Sequence, residues 1–510
     1  MRNIFFLILS CFCLLSVHAQ NETSKDHISL AGIWNFKLDP LNISIPVKGS
    51  NFVSRFPEEI TLPGSTDQAG KGFKTQDMSS LRLTRMFEYS GAAWYEKENI
   101  FIPESWKDQL LFLFLERVHW ESQVWINGKF VGKEESLSTP HLYDITSYVK
   151  FGDWNTVRIR VDNGNIHDIA YTHAISAETQ TNWNGIIGRM EIQAVSKVHI
   201  TDVQIYPLQK EKRLKIVAQI ANHSNLPVKG DIRIRCHFLN DSQLLHLNEK
   251  NTTFNSSDSL IHLVHYYDLG DKLYTWDEFE PNLYEIDYEI KCCGKSDVQK
   301  IKFGIRDFGT KGTHFTINDI PTFIRGAVNS CEFPITGYPP MSYEEWKKVM
   351  KVYKDYGFNC IRFHSWCPPE SAFQVADELG LYLQVENSDW RFTVGEDEAT
   401  NAFYLDEVQR IFKEYGNHPS FAFFCEGNEL VGKDCVDFLK EMLTEWKKDS
   451  RHLYVAASGY PTVEGSDFFD FYGARPQRWQ EGLKGRFNSQ PLNTRYDYID
   501  YVKKFIVIRF

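Results

Sequence analysis

The chain has 510 residues, of which 42% are hydrophobic and 24% charged, and it carries a formal net charge of −11. That length corresponds to about three domains and allows sizeable cores. The acidic balance, without a basic face, argues against nucleic acid as a partner. Beyond the N-terminus no apolar run approaches the roughly 18 residues of a membrane helix, so no membrane span is expected.

Residues 1–19 read as a signal peptide. Arg2 supplies the positive start, Ile4–Val17 the apolar stretch, and Val17-His18-Ala19 a small-residue cleavage site, so the protein is expected to be exported. Eight cysteines follow, most of them inside apolar patterns such as those around Cys360 and Cys425. That placement favours buried free thiols over a disulfide framework. No CxxC or HExxH spacing suggests a metal site. Aromatic residues make up 15% of the chain. Most should fill β-rich cores, and a smaller share is available to stack on sugar rings.

From residue 28 to 195, short apolar runs alternate with turn residues, as in Leu30–Lys37, Leu110–Glu116, Gln123–Val131 and Asn155–Asp162. Asn127-Gly128 between two such runs signals a tight hairpin. The pattern predicts an all-β sandwich of the jelly-roll kind. From 197 to 305 a second β set follows, including Leu214–Ile220, Gly230–Cys236 and Asn282–Ile290, with the size and spacing of an immunoglobulin-like sandwich.

From residue 306 to the end the period changes. Strand patterns at Thr322–Val328, Phe358–His364, Leu381–Glu386, from Phe421, at His452–Ala457 and at Phe468–Tyr472 alternate with helical patterns at Tyr343–Tyr356, Pro369–Leu379, Asn401–Tyr415 and Asp434–Lys448. Ser342 with Glu345 has capping-box spacing. Strand–helix alternation in series predicts a parallel sheet and favours a (β/α)₈ TIM barrel. Six strands are countable, a helix is expected over Arg495–Lys504, and Phe505–Ile508 would open a seventh strand just before the chain ends at Phe510. The barrel is therefore expected to be incomplete.

In such a barrel the C-terminal ends of the strands carry the site. Those ends bring Asn329 and Glu332; Arg362 and His364; Glu386, Asn387, Asp389 and Trp390; Asn428 and Glu429; Ser458; and Tyr472. The set is polar, aromatic and acidic, which suits a sugar, and neither a phosphate-cradling Gly loop nor a serine nucleophile elbow is present. The pair Asn428-Glu429 closes a buried-strand pattern that begins at Ser420, and it places a carboxylic acid where a glycosidase needs its general acid. A helix N-terminus at Glu429, a structural ion-pair cluster around Arg362 and His364, and core packing of Trp390 and Tyr472 are the alternatives for each residue alone.

With these residues in view, the chain from about residue 28 resembles family 2 glycoside hydrolases, the group that includes β-galactosidases, β-glucuronidases and β-mannosidases. The resemblance rests on Gly91–Tyr95 and Trp125–Gly132 in the first β set, Asn359-x-x-Arg362 with Pro368, Gly416–Ser420, and Gly427-Asn428-Glu429. It implies a sugar-binding first domain and a retaining hydrolase that removes terminal β-linked sugars from an oligosaccharide or glycoside substrate, with no cofactor and no metal match; with the signal peptide, that hydrolase is expected to be exported. By the same resemblance, Glu429 is the acid/base and Asn428 holds the sugar 2-hydroxyl. Arg362 orients the nucleophilic carboxylate, Tyr472 bonds to it, and His364 and Trp390 line the sugar site. The family nucleophile is a Glu at the end of the seventh strand. None is found there, Glu464 and Glu481 sit in loop patterns, and the nucleophile is unassigned. The expectation that follows is a chain truncated within its catalytic barrel, with a catalytically dead fragment or carbohydrate-binding remnant as the alternative function. Val328–Pro334 and Val385-Glu386-Asn387 depart from the galactosidase pattern, so the sugar stays open among galactose, mannose, glucuronic acid and an arabinose-like pyranose.

Overall fold

The computed structural model describes residues 26–44, 56–76, 85–175, 182–240, 245–271, 273–470 and 507–508. The expected signal peptide, the helix expected over Arg495–Lys504, Tyr472 and Glu481 lie outside the described residues.

The first β set forms two antiparallel sheets. One runs in the order Asp26–Ser29, Gly185–Val195, Leu110–His119, His141–Asp144, with Gly64–Ser65 also pairing with Gly185–Val195. The other runs Lys129–Glu135, Glu121–Ile126, Asp153–Asp162, Ala92–Ile102, Gly32–Asp39, Glu58–Leu62. Alternate residues such as Leu111, Leu113 and Leu115 point into a core shared with Trp34, Tyr95 and Ile159, as the period of two requires. The Asn127-Gly128 hairpin forms as expected: both residues have positive φ, 51° and 78°, and Ile126 pairs with Lys129.

The second β set is also a sandwich. A three-stranded sheet of Val198–Leu208, Arg213–Asn222 and Leu260–Asp268 faces a four-stranded sheet of Leu245–Ser256, Val228–Phe238, Tyr284–Cys292 and Lys295–Phe303. Ile216, Ile234, Tyr288 and their neighbours form its core. The cysteines from Cys236 to Cys435 are free, and all but Cys293 are buried.

After a small meander, five parallel strands follow in sequence order: Gly326–Asn329, Cys360–Phe363, Tyr382–Asp389, Phe421–Gly427 and Leu453–Val455. They are called parallel strands 1 to 5 below. Helices α1 (Tyr343–Asp355), α2 (Glu370–Leu379), α3 (Glu398–Tyr415) and α4 (Cys435–Trp446) connect them. Phe469–Asp470 follows strand 5 and pairs in parallel with Val507–Ile508, within the run expected to open a further strand. Ser342 caps α1, where its Oγ accepts the Glu345 N–H and donates to the Glu345 carboxylate at 2.5 Å. Helix α3 starts three residues earlier than its apolar period suggests. The Asp397 carboxylate accepts the Thr400 N–H at 3.1 Å and so sets the start.

The motif Gly416–Ser420 turns out to be a joint between elements. Asn417 reaches the second sandwich, accepting the Ile205 N–H and donating to the Val203 carbonyl, both at 2.8 Å. His418 sits between Asp377 (2.6 Å) and Glu370 (3.1 Å) of α2. Ser420 N–H donates to Asp377 at 3.0 Å at the entry to strand 4. This joint sets the depth at which strand 4 delivers its C-terminal end.

Candidate active site

Strand 4 ends at Gly427, where a side chain has no room: a Cβ would lie 2.1 Å from the Asp389 carbonyl oxygen. That close approach lets the next residues be clamped from both sides. Asn428 N–H donates to Asp389 O (3.0 Å), Glu429 N–H to Ser458 O (2.8 Å) and Leu430 N–H to Tyr460 O (2.9 Å), while Ser458 N–H donates to Gly427 O (2.9 Å). Glu429 is held in the left-handed region at φ 49°, a conformation that a non-glycine residue adopts at a cost and that recurs at functional sites. Its carboxyl group is half-buried and makes no hydrogen bond or ion pair among the described residues.

Beside it, strand 2 supplies Arg362. Its Nη2 donates to Asn428 Oδ1 at 2.9 Å and its Nε donates to Glu386 Oε1 at 2.6 Å. Asp470 Oδ2 lies 3.6 Å from the same Nε. The bond to Arg362 commits the Asn428 oxygen as acceptor, so its amide nitrogen is the group left to donate. Glu386 also accepts the Ser365 N–H (2.6 Å) and the Gln384 side chain (3.3 Å), and Asp470 accepts Ser458 Oγ (2.6 Å) and Gln384 Nε2 (3.0 Å). Burial pushes the Glu386 carboxyl up from its ordinary value, against the pull of Arg362 and the Ser365 N–H. Burial alone would lower Arg362, but the charges of Glu386 and Asp470 outweigh it and hold the guanidinium above its usual range.

The strand-end residues of the sequence reading do not all meet. Arg362, Asn428, Glu386 and Ser458 join in one hydrogen-bonded cluster with Glu429 at its edge. His364 and Trp390 stand beside it, with ring centroids 5.0 Å apart. Asn387 and Asp389 lead elsewhere, into a sealed cluster with Arg391, Tyr404 and Glu426. In that cluster Arg391 Nε meets Asp389 Oδ2 at 2.9 Å and Asn387 Nδ2 meets Glu426 Oε2 at 3.3 Å. Burial and the neighbouring Asp389 charge push Glu426 well above the ordinary carboxyl value. Asn329 serves as scaffold, accepting His364 N–H and Trp366 Nε1–H on its carbonyl. Glu332 is exposed, and Glu464 lies on an exposed loop near Lys440 (3.7 Å).

Two contributors escaped sequence reasoning. Asp470 is one: the strand pattern Phe468–Tyr472 points to its last residue, whereas Asp470 within it accepts Ser458 Oγ and Gln384 Nε2. The other is a strap from the first sandwich, residues 164–175. Ala170 bridges to Trp390, Thr172 Oγ1 donates to Ser365 O (2.6 Å), and His173 N–H donates to Ser365 Oγ (2.9 Å). The His173 ring lies 4.6 Å from His364 and 5.6 Å from Trp390, and burial with the Arg362 charge pushes it down to about 4. The strap has no periodicity, and the density of rings in Tyr171–His173 was its one visible signal.

Two family models match the chain in succession. The sugar-binding domain of glycosyl hydrolases family 2 matches residues 28–189, and the domain described as glycosyl hydrolases family 2 matches 198–306. The chain belongs to glycosyl hydrolase family 2. A β-galactosidase of Priestia megaterium is 26% identical over 377 residues, covering 69% of this chain and 35% of that protein. A putative β-glucuronidase of Formosa agariphila is 24% identical over 509 residues, covering 95% of this chain and 56% of that protein. Among solved structures, Bacteroides uniformis β-glucuronidase 2, covalently bound to cyclophellitol-6-carboxylate aziridine, aligns with a TM-score of 0.71 at 18% identity, over 86% of this chain and 53% of that one. The chain thus spans about a third to a half of the length of these family 2 relatives. Among the described residues no helix is long and apolar enough to cross a membrane.

Proposed function

We propose that this chain is a glycosidase that acts on terminal β-linked sugars, with Glu429 as its acid/base. The observation that carries the reading is the clamp on Gly427–Leu430. It presents an uncommitted carboxyl group beside an amide whose donor side is fixed by Arg362. In this reading Glu429 protonates the leaving oxygen and then takes a proton from water. Asn428 Nδ2 donates to the sugar 2-hydroxyl, a bond that strengthens as the ring gains oxocarbenium character. A retaining reaction also needs a nucleophilic carboxylate. Glu386 and Asp470 are 0% and 4% exposed, sealed around Arg362, and neither is assigned that role.

Relatives named β-galactosidase and β-glucuronidase support galactose and glucuronic acid as the sugars to try first. The parallel strands joined by helices are read as the start of a (β/α)₈ barrel and the middle sandwich as immunoglobulin-like. The N-terminal pattern of residues 1–19 supports export.

The test is hydrolysis of aryl glycosides with leaving groups of graded acidity. Glu429→Gln should lower kcat/KM by about 10²–10⁴ for poor leaving groups. It should spare the 2,4-dinitrophenyl glycoside, which needs no proton to depart. An equal loss for both leaving groups, or none, would sink the assignment.

A further inference from the structure

Three aromatic side chains meet at the outer edge of the site. Tyr171 is 59% exposed and Phe392 47% exposed, while Trp390 is half-buried. Tyr171 stands edge-to-face with both others. Its ring centroid is 6.4 Å from Trp390 at an interplanar angle of 78°, and 5.9 Å from Phe392 at 73°. Single exposed aromatics are ordinary on protein surfaces, but two exposed rings joined to a third that stands 5.0 Å from His364 of the candidate site are not. Rings set nearly at right angles form a corner, in which a bound ring can lie on one face and turn its edge to another.

We propose that Tyr171, Trp390 and Phe392 form a leaving-group subsite that receives an uncharged ring, either a sugar or an aryl group. The proposal rests on the glycosidase reading above. Depth assigns the subsite to the leaving group. The residues that would hold the terminal sugar, Arg362 and Asn428, are 7% and 5% exposed on the floor, whereas the corner is the exposed rim. A terminal sugar seated on the floor turns its leaving group toward that rim. The corner is also preorganised. The strap is pinned to Ser365 through Thr172 and His173, and Ala170 bridges to Trp390, so little ordering remains to be paid on binding. His173, packed against Trp390, is pushed down to about 4 by burial and by Arg362, and is neutral near pH 7. The one guanidinium nearby in sequence, Arg391, faces away onto Tyr404 and Phe438.

The experiment measures binding by calorimetry and saturation-transfer NMR on the full chain carrying Glu429→Gln. The probes are the methyl and 4-nitrophenyl β-D-galactopyranosides and β-D-glucuronides, together with lactose. Leaving-group protons of the nitrophenyl ring, of the glucose unit of lactose, or of both should be saturated, and which of them is identifies the ring the corner prefers. Tyr171→Ala and Phe392→Ala should each weaken those probes by about tenfold and leave the methyl glycosides unchanged, and Tyr171→Phe should restore binding. Tyr171 and Phe392 are exposed, so their truncation leaves the cores intact. Equal binding by parent and alanine variants, saturation confined to the terminal sugar, or no binding of any probe overturns the subsite. The catalytic reading fails separately, if the chain with Glu429→Gln hydrolyses the nitrophenyl glycosides as fast as wild type.

Discussion

Glu429 and Gly427 show how one residue's freedom is fixed by another's lack of bulk. Gly427 is needed because strand 3 approaches so closely, and that approach supplies the carbonyl that anchors Asn428. Gly427→Ala should therefore cost about 2 kcal/mol, in the range of overpacked interiors, and should lower activity by displacing the clamp. Thermal unfolding checks the first effect and aryl-glycoside turnover the second; unchanged values in both would show that strand 3 can retreat. At this scale much of the candidate site is legible in the sequence, because strand ends are marked by where the apolar run stops. Arg362, His364, Asn428 and Glu429 came from that rule. Asp470 did not, because it lies inside its strand pattern, two residues before the end, and a period of two puts both positions on one face.

The joint at Gly416–Ser420 shows the same limit for an element. As a string it carries part of the family resemblance, and nothing in it announces that His418 lies between two acids of α2. In the fold, burial opposes the charged imidazole, but Glu370 and Asp377 overcome it and raise His418 to about 10. A raised folded value means that its stabilisation is fully present below about 6.5, the ordinary histidine value, and is lost as pH rises through about 10. Wild type should lose stability between pH 7 and pH 10.5 relative to His418→Gln, which should be less stable by about 3 kcal/mol at pH 6, as expected for removing one partner of a buried pair. Thermal midpoints across that pH range decide it. Parallel curves for the two proteins would mean that His418 is uncharged. The elements themselves were legible because periods of 2 and 3.6 are local signals, as is the Ser342 cap. Helix α3 began early because a single carboxylate, Asp397, outvotes the apolar period at a helix start.

The whole molecule is held by contacts that no local signal encodes. Arg117 of the first sandwich donates to Leu137 O (2.7 Å) and to Cys367 O (3.1 Å) in the parallel-strand region. In return, Glu407 of α3 accepts the Leu137 N–H at 2.9 Å, and Tyr415 OH donates to Ser138 O at 2.7 Å. Glu407→Ala would strand a buried N–H and should cost about 1–3 kcal/mol, whereas Glu407→Gln keeps an acceptor and should cost less. Thermal unfolding of both variants checks this, and equal losses would assign the effect to packing instead.

The strap of residues 164–175 belongs by sequence to the first sandwich, yet Ala170, Thr172 and His173 touch Trp390 and Ser365 of the parallel-strand region. An exchange of the first sandwich would carry these contacts with it. Grafting the first sandwich of another family 2 protein onto this chain should therefore alter the surroundings of Trp390 and Ser365 as well.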